Sequence, residues 1–317
     1  MTSSSRSPGP LAVSTSQPQF VRGLALMAGG MLLIPVMDAI AKILGERISP
    51  GMVAWGRVFF QTILTGGAVL AILCPVGLIP KQLWPNVLRG ILIAFASFSF
   101  FAALTVMPLA ETLAIFFVEP FILTVLSALL LGETVGWRRR IAVLVGFLGA
   151  LLIIQPTFAE VGWAVVLPLI AAFCFALYLI ITRQAAAHDP GLTMQFTSGV
   201  AGTLFMTALL LISQIVPLPG LQPSMPDVNA WLLLATIGAI ATVGHLMVVA
   251  AAKAVPTSIL APFQYLEIVS ATVLGLWIFG DFPDALTWLG ITIICVSGGY
   301  VFWREAQIKS DEHATPD

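Results

Sequence analysis

Ten apolar runs, separated by prolines, glycines and charges, constrain this chain more than any other feature of its sequence. A helix needs about 20 apolar residues to cross a bilayer's hydrocarbon core, and the runs fit that length at approximately 22–44, 51–73, 87–107, 109–131, 140–156, 163–183, 193–215, 230–252, 257–279 and 285–303. Breakers such as Ile48-Ser49-Pro50, Pro108, Gly132 to Gly136, His188-Asp189-Pro190 and Pro256 fall between them. No connection exceeds about 15 residues, which leaves no room for a soluble domain. Only 9% of the side chains are charged, against roughly 25% in soluble domains. The chain reads as an all-α polytopic membrane protein of ten transmembrane helices. A net charge of −1 argues against nucleic-acid binding. Cys74, Cys174 and Cys295, with three scattered histidines, give neither zinc spacing nor a disulfide framework.

Basic residues predict the orientation. With a cytoplasmic N-terminus, eleven of the fourteen lie at cytoplasmic ends, among them Arg22, Arg89, Arg138-Arg139-Arg140 and Arg183; Lys42 and Arg47 stay outside, and Arg57 sits inside span 2. That bias places both termini in the cytoplasm. The Ser/Pro-rich residues 1–21 read as a disordered tail and 304–317 as a second cytoplasmic tail. The run that follows residue 21 lacks a convincing cleavage site and reads as a first span, not a removed signal.

The segment 108–133 aligns with 256–281 at an offset of 148 without gaps. Pro108 meets Pro256, Glu119 meets Glu267, Thr124-Val125-Leu126 meets Thr272-Val273-Leu274, and Gly132-Glu133 meets Gly280-Asp281. These are spans 4 and 9, five apart. An odd offset reverses direction, so residues 22–156 and 163–303 are expected to be inverted five-helix repeats, an architecture used by carriers. With these features, and with Asp38-Ala39-Ile40-Ala41-Lys42, Trp55-Gly56-Arg57, Tyr265-Leu266-Glu267 and Phe279-Gly280-Asp281-Phe282-Pro283, the chain resembles the EamA type of the drug/metabolite transporter superfamily. Those motifs are similar to a branch that includes riboflavin and S-adenosylmethionine carriers. The resemblance spans about residues 23–304 and implies an inner-membrane carrier of a small metabolite.

Ionisable groups within hydrocarbon are costly and usually face a partner or a wet space. At about 1.5 Å per residue, Asp38, Lys42, Arg57 and Glu111 fall in the outer third and are expected to form a charge cluster or gate. Asp38 and Lys42 lie four apart on one helix face, where an ion pair is the plain expectation; Arg57 would neutralise Asp38 or Glu111 across helices. Glu119 and Glu267 fall near the midplane. Either they join helices by hydrogen bonds or they serve substrate or proton binding. Pro120 and Pro262 each remove a helical hydrogen bond close to one of these acids, which favours a polar site there. Phe263, Gln264, Glu267 and Ser270 share one broad face of span 9. Tyr265, Gln61 and Tyr178 are further candidates for substrate contact. Trp55 fits an interfacial anchor or a binding aromatic, and His245 a packed polar group or a relay. Gly29-Gly30, Gly66-Gly67, Gly146 and Gly298-Gly299 are expected to let helices approach closely.

The expected activity is therefore secondary transport by alternating access, with no cofactor or metal called for. Aromatic and amide groups beside the acids place a riboflavin-like or other heteroaromatic nutrient first, S-adenosylmethionine second and amino-acid export behind them. Proton coupling against exchange, import against export, and monomer against homodimer stay open. A membrane-embedded enzyme is the rival class, but neither His-Glu-x-x-His nor Gly-x-Ser-x-Gly occurs.

Overall fold

The structure, a computed structural model, describes residues 17–73, 75–131, 137–186, 188–255 and 260–314. Among them every regular element is helical: α1 (Gln17–Gly45), α2 (Pro50–Ile72), α3 (Leu83–Leu104), α4 (Leu109–Phe116), α5 (Glu119–Leu131), α6 (Trp137–Val161), α7 (Val166–Ala185), α8 (Gly191–Ile212), α9 (Val228–Ala254), α10 (Leu266–Leu274) and α11 (Ala285–Ala314). Seven helical stretches are long and apolar enough to cross a membrane, and shorter apolar helices occupy 141–154, 263–279 and 285–297. Cys74, the Gly132-Glu133 helix end and Pro256 lie outside the described residues.

Local chemistry sets several of these starts. The Ser49 hydroxyl accepts from the Met52 N–H, with Pro50 in the first turn of α2. Asp227 Oδ1 accepts from the Ala230 N–H at 2.7 Å, and Asp284 Oδ1 from the Thr287 N–H at 2.7 Å, so both satisfy orphan donors of a first turn. Two expected spans are not continuous α-helices. Span 4 divides into α4 and α5 at Phe117-Val118, directly before Pro120, which has no N–H to offer the preceding turn. Span 9 opens as a 3₁₀ turn, Ala261–Tyr265, with a proline at its start, and closes as a π turn, Gly275–Phe279. Span 3 also begins earlier than its hydropathy suggested, at Leu83.

The packing pairs are related by exchanging each segment with the one five places on. α1 packs on α9 and α3 on α7; α3 packs on α8 and α2 on α9; α1 packs on α10, and α4 with α5 on α7. The pairs α2 with α8, α6 with α11, and α4 with α10 map onto themselves. Small residues permit several of these contacts. A Cβ on Gly90 would collide with the Ser198 carbonyl oxygen, and one on Gly290 would meet the Gly149 carbonyl oxygen at 2.7 Å. A Cβ on Gly30 would lie 3.3 Å from the Gly244 carbonyl oxygen. Gly66 and Gly146 face Phe196 and Phe121, whereas Gly67 and Gly299 face nothing within 4 Å.

The outside of the bundle is apolar. Leu129, Leu204 and Val269 are 74%, 65% and 55% exposed, as lipid-facing side chains are and solvated ones seldom are. Exposed tryptophans mark the two ends: Trp84 and Trp137 at the starts of α3 and α6, Trp163 and Trp277 at the opposite end. Such aromatic belts sit at membrane–water boundaries.

Candidate functional site

The acids predicted at midplane depth both sit where a helix starts anew inside the bundle. Glu119 is the first residue of α5, and Glu267 belongs to the first turn of α10. Helix N-termini carry partial positive charge and favour acidic groups. Glu119 is 9% exposed, and its Oε1 has no hydrogen-bond partner. Glu119 and Glu267 lie within electrostatic range of one another, and Glu267 of Asp38. Tyr265, whose ring lies 5.6 Å from that of Phe117, falls within range of Glu119. Ser270, one turn past Glu267, donates to the Leu32 carbonyl at 3.0 Å and ties α10 to α1.

The expected outer cluster divides in two. Asp38 and Arg57, each 4% exposed, belong with the central acids. Arg57 senses Asp38, Tyr178 and His245, and its Nη1 donates to the Ser97 hydroxyl at 2.7 Å. Its Nε is buried without a partner. Gln61, one turn further along α2, is also buried. Lys42 does not pair with Asp38. Its Nζ reaches Asp281 Oδ2 at 3.0 Å and the Met107 carbonyl at 3.0 Å, and lies 4.7 Å from the centre of the Phe279 ring. The reason is position: near the end of α1 a lysine extends its ammonium toward water, whereas Asp38 is a full turn deeper. Gly280 makes the meeting feasible, since its φ of +73° ends the π turn in the left-handed region and brings Asp281 round to Lys42. Glu111 keeps to this rim too. It accepts from the Thr157 hydroxyl at 3.0 Å and lies within range of Glu160, Asp281 and Asp284, not of Arg57.

The remaining candidates disperse. Tyr178 joins a network at the opposite end of the bundle, and Phe263 packs with Met27, Met31 and Leu260 near the start of α1. Gln264 is half-buried in the 3₁₀ turn. Trp55 donates its indole N–H to Thr207 at 2.8 Å and stacks on Phe59 at 4.7 Å, so it joins α2 to α8. His245 Nδ1 lies 2.7 Å from the carbonyl of Ala241 one turn back.

Sequence reasoning missed the network around Tyr178. Arg89, counted only toward membrane orientation, is 2% exposed and, among the described residues, the largest fully buried side chain. Its Nε donates to Thr182 at 2.8 Å, Nη1 to Asn86 at 2.9 Å, to Ser198 at 3.1 Å and to the Met194 carbonyl at 3.3 Å, and Nη2 to the Tyr178 hydroxyl at 3.1 Å. Asn86 passes the contact to Asp189 Oδ2 at 3.0 Å, and Asp189 accepts from the backbone N–H groups of Lys81 and Gln82. The network fastens the start of α3 to α7 and α8. The spacing Asn86-x-x-Arg89 on one helix face was the one visible signal; Asp189 is distant in sequence and carried none.

Discontinuous helices with acids at the breaks inside a bundle are a feature of proteins that pass solutes across membranes, and the comparisons agree. The model of the EamA-like transporter family matches residues 18–155 and again 162–302. The chain is a member of the EamA-like transporter family. It is 25% identical over 297 residues to an S-adenosylmethionine uptake transporter of Rickettsia prowazekii, covering 93% of this chain and 97% of that protein. A riboflavin transporter of Vibrio cholerae is 30% identical over 198 residues, 61% of this chain and 62% of its own. A pseudopaline exporter of Pseudomonas aeruginosa is 27% identical over 284 residues, covering 86% and 96%. A solved crystal structure superposes with a TM-score of 0.60 at 19% identity, covering 88% of this chain and 95% of that one, a likeness of fold. This EamA-like transporter is thus a multi-pass membrane protein that carries a small solute.

Proposed function

We propose that this transporter is an inner-membrane secondary carrier working by alternating access between two inverted repeats, residues 22–156 and 163–303, and that its substrate is a cationic heteroaromatic metabolite of the S-adenosylmethionine kind. The observation that carries the reading is the pair of broken helices, each presenting an acid in a first turn, with Asp38 close by. Two buried carboxylates, Asp38 and Glu119, and the half-buried Glu267 against one guanidinium favour a cation over the neutral heteroaromatic nutrient that the sequence ranked first. The relatives named for S-adenosylmethionine, which align over most of the chain, support the same order. Riboflavin-like substrates remain the second reading, supported by the Phe117–Tyr265 aromatic pair beside Glu119.

Both termini face the cytoplasm in this reading, so the Lys42–Asp281 pair closes the outer end and the Arg89 network lies at the inner end. The transport step leaves the metabolite chemically unchanged. Glu119 and Glu267 hold the cation while the site is loaded and can take up protons when it is empty. Purified protein in liposomes, offered labelled S-adenosylmethionine, riboflavin and neutral amino acids in parallel, tests the substrate. Saturable uptake is expected for S-adenosylmethionine, with riboflavin a weak competitor. Uptake of riboflavin with none of S-adenosylmethionine would reverse the order.

A further inference from the structure

Arg57 presents a combination that its role as a counter-charge does not explain. It is 4% exposed, yet among the described residues the one ion pair within 4.0 Å is Lys42–Asp281. Asp38 is near enough to feel Arg57 but does not meet it. Nη1 is used by Ser97, which in turn donates to the Ile93 carbonyl at 2.7 Å, and this fixes the guanidinium plane. The Nε edge is left without a partner. A guanidinium binds carboxylates through an edge, with two parallel N–H donors, and a buried donor left unpaired is costly. A second unpaired buried atom, Glu119 Oε1, belongs to one of the central acids. The site therefore holds one open anion-binding edge and one open cation-binding atom.

We infer that Arg57 is the carboxylate anchor of the transport site, binding the substrate's α-carboxylate through its Nε edge while Asp38, Glu119 and Glu267 receive the substrate's cationic groups. The assignment rests on the carrier reading above and narrows it: the substrate is a zwitterion bearing a free amino-acid head, not merely a cation. Asp38, within range of both Arg57 and Glu267, pairs with the α-ammonium of the head. Ser97 holds the guanidinium in plane and touches no substrate.

S-adenosylmethionine and its decarboxylated analogue, which keeps the sulfonium, the adenine and the amine, separate the possibilities. Binding of each to the full-length protein in nanodiscs is measured by calorimetry. Wild type is expected to bind the analogue at least about 10-fold more weakly, the loss that follows from one charge-assisted hydrogen-bonded contact. In Arg57→Gln the preference is expected to collapse to about 1, through weaker binding of S-adenosylmethionine and little change for the analogue. Arg57→Lys, which keeps the charge but loses the planar fork, should fall between the two and serves if the glutamine variant does not fold. Equal binding of both compounds to wild type overturns the assignment and leaves the carrier reading standing. A preference that survives in both variants also overturns it, because Arg57 would then be a structural counter-charge. If neither compound binds wild type, the substrate reading falls and the anchor with it.

Discussion

Breaking the Lys42–Asp281 pair is expected to shift the transporter toward conformations open at that end of the bundle. At 3.0 Å, two unit charges attract by about 5–6 kcal/mol at an effective dielectric near 20. Water screens much of that at the Asp281 side chain, which is 37% exposed, and the Lys42 side chain, 15% exposed, gives up part of its hydration to make the contact. A net worth of roughly 1–2 kcal/mol is left, equivalent to about 5- to 30-fold in the opening equilibrium. The two single variants should differ. Asp281→Asn leaves Lys42 bonded to the Met107 carbonyl and resting on the Phe279 ring, whereas Lys42→Met removes all three contacts. A double-mutant cycle isolates the ion pair. The assay is pulsed electron spin resonance between labels at the exposed positions Arg47 and Phe282, in a background without the native cysteines, read as the fraction of long distances. Coupling of about 1–2 kcal/mol between the two substitutions is expected, with Lys42→Met the more open single variant. Coupling below about 0.3 kcal/mol would refute the clasp.

Three further outcomes follow from the packing and the charge distribution. Gly90→Ala drives a methyl into the Ser198 backbone oxygen, so α3 and α8 must separate; a loss of about 1–3 kcal/mol is expected, read as a lowered unfolding temperature in detergent, while Gly67→Ala, which meets nothing within 4 Å, should be neutral. Arg89→Gln removes the centre of the Asn86, Thr182, Ser198 and Tyr178 contacts and should lower stability by more than Tyr178→Phe, which removes a single hydroxyl; equal losses in the two variants, measured by thermal unfolding, would contradict the network. Reporters fused at the C-terminus should report cytoplasm and one in the 216–229 loop the outside; a periplasmic C-terminus would overturn the inverted arrangement of the halves.

Much of the fold was legible because the bilayer leaves few alternatives. A run of about 20 apolar residues bounded by breakers has to be a helix, and among the described residues helices occupy all ten expected segments, with span 3 starting earlier and spans 4 and 9 interrupted. Pro120 and Pro262 marked where helical hydrogen bonds would be lost, because a missing N–H is a local fact, although both spans were expected to run unbroken. What was not legible depended on partners distant in the chain. The i,i+4 rule joined Lys42 to Asp38, but depth decided otherwise: the lysine could reach the wet rim and Asp281, 239 residues on, whereas Asp38 could not. Arg89 looked like one more basic residue near a membrane face. Its burial comes from α7 and α8 closing over α3, a tertiary event that no window of sequence contains. Depth counting likewise separated Arg57 from the central acids, because it treated each span as an independent ruler and took no account of helices crossing at an angle.

Counterflow tests the central claim most directly. Proteoliposomes preloaded with unlabelled S-adenosylmethionine are diluted into a trace of the labelled compound, with no ion gradient. A carrier that exposes one site alternately to each side predicts a transient accumulation of label above the outside concentration, saturable and abolished in empty vesicles. Simple equilibration that never exceeds the outside concentration, or recovery of a chemically altered label, would contradict the account.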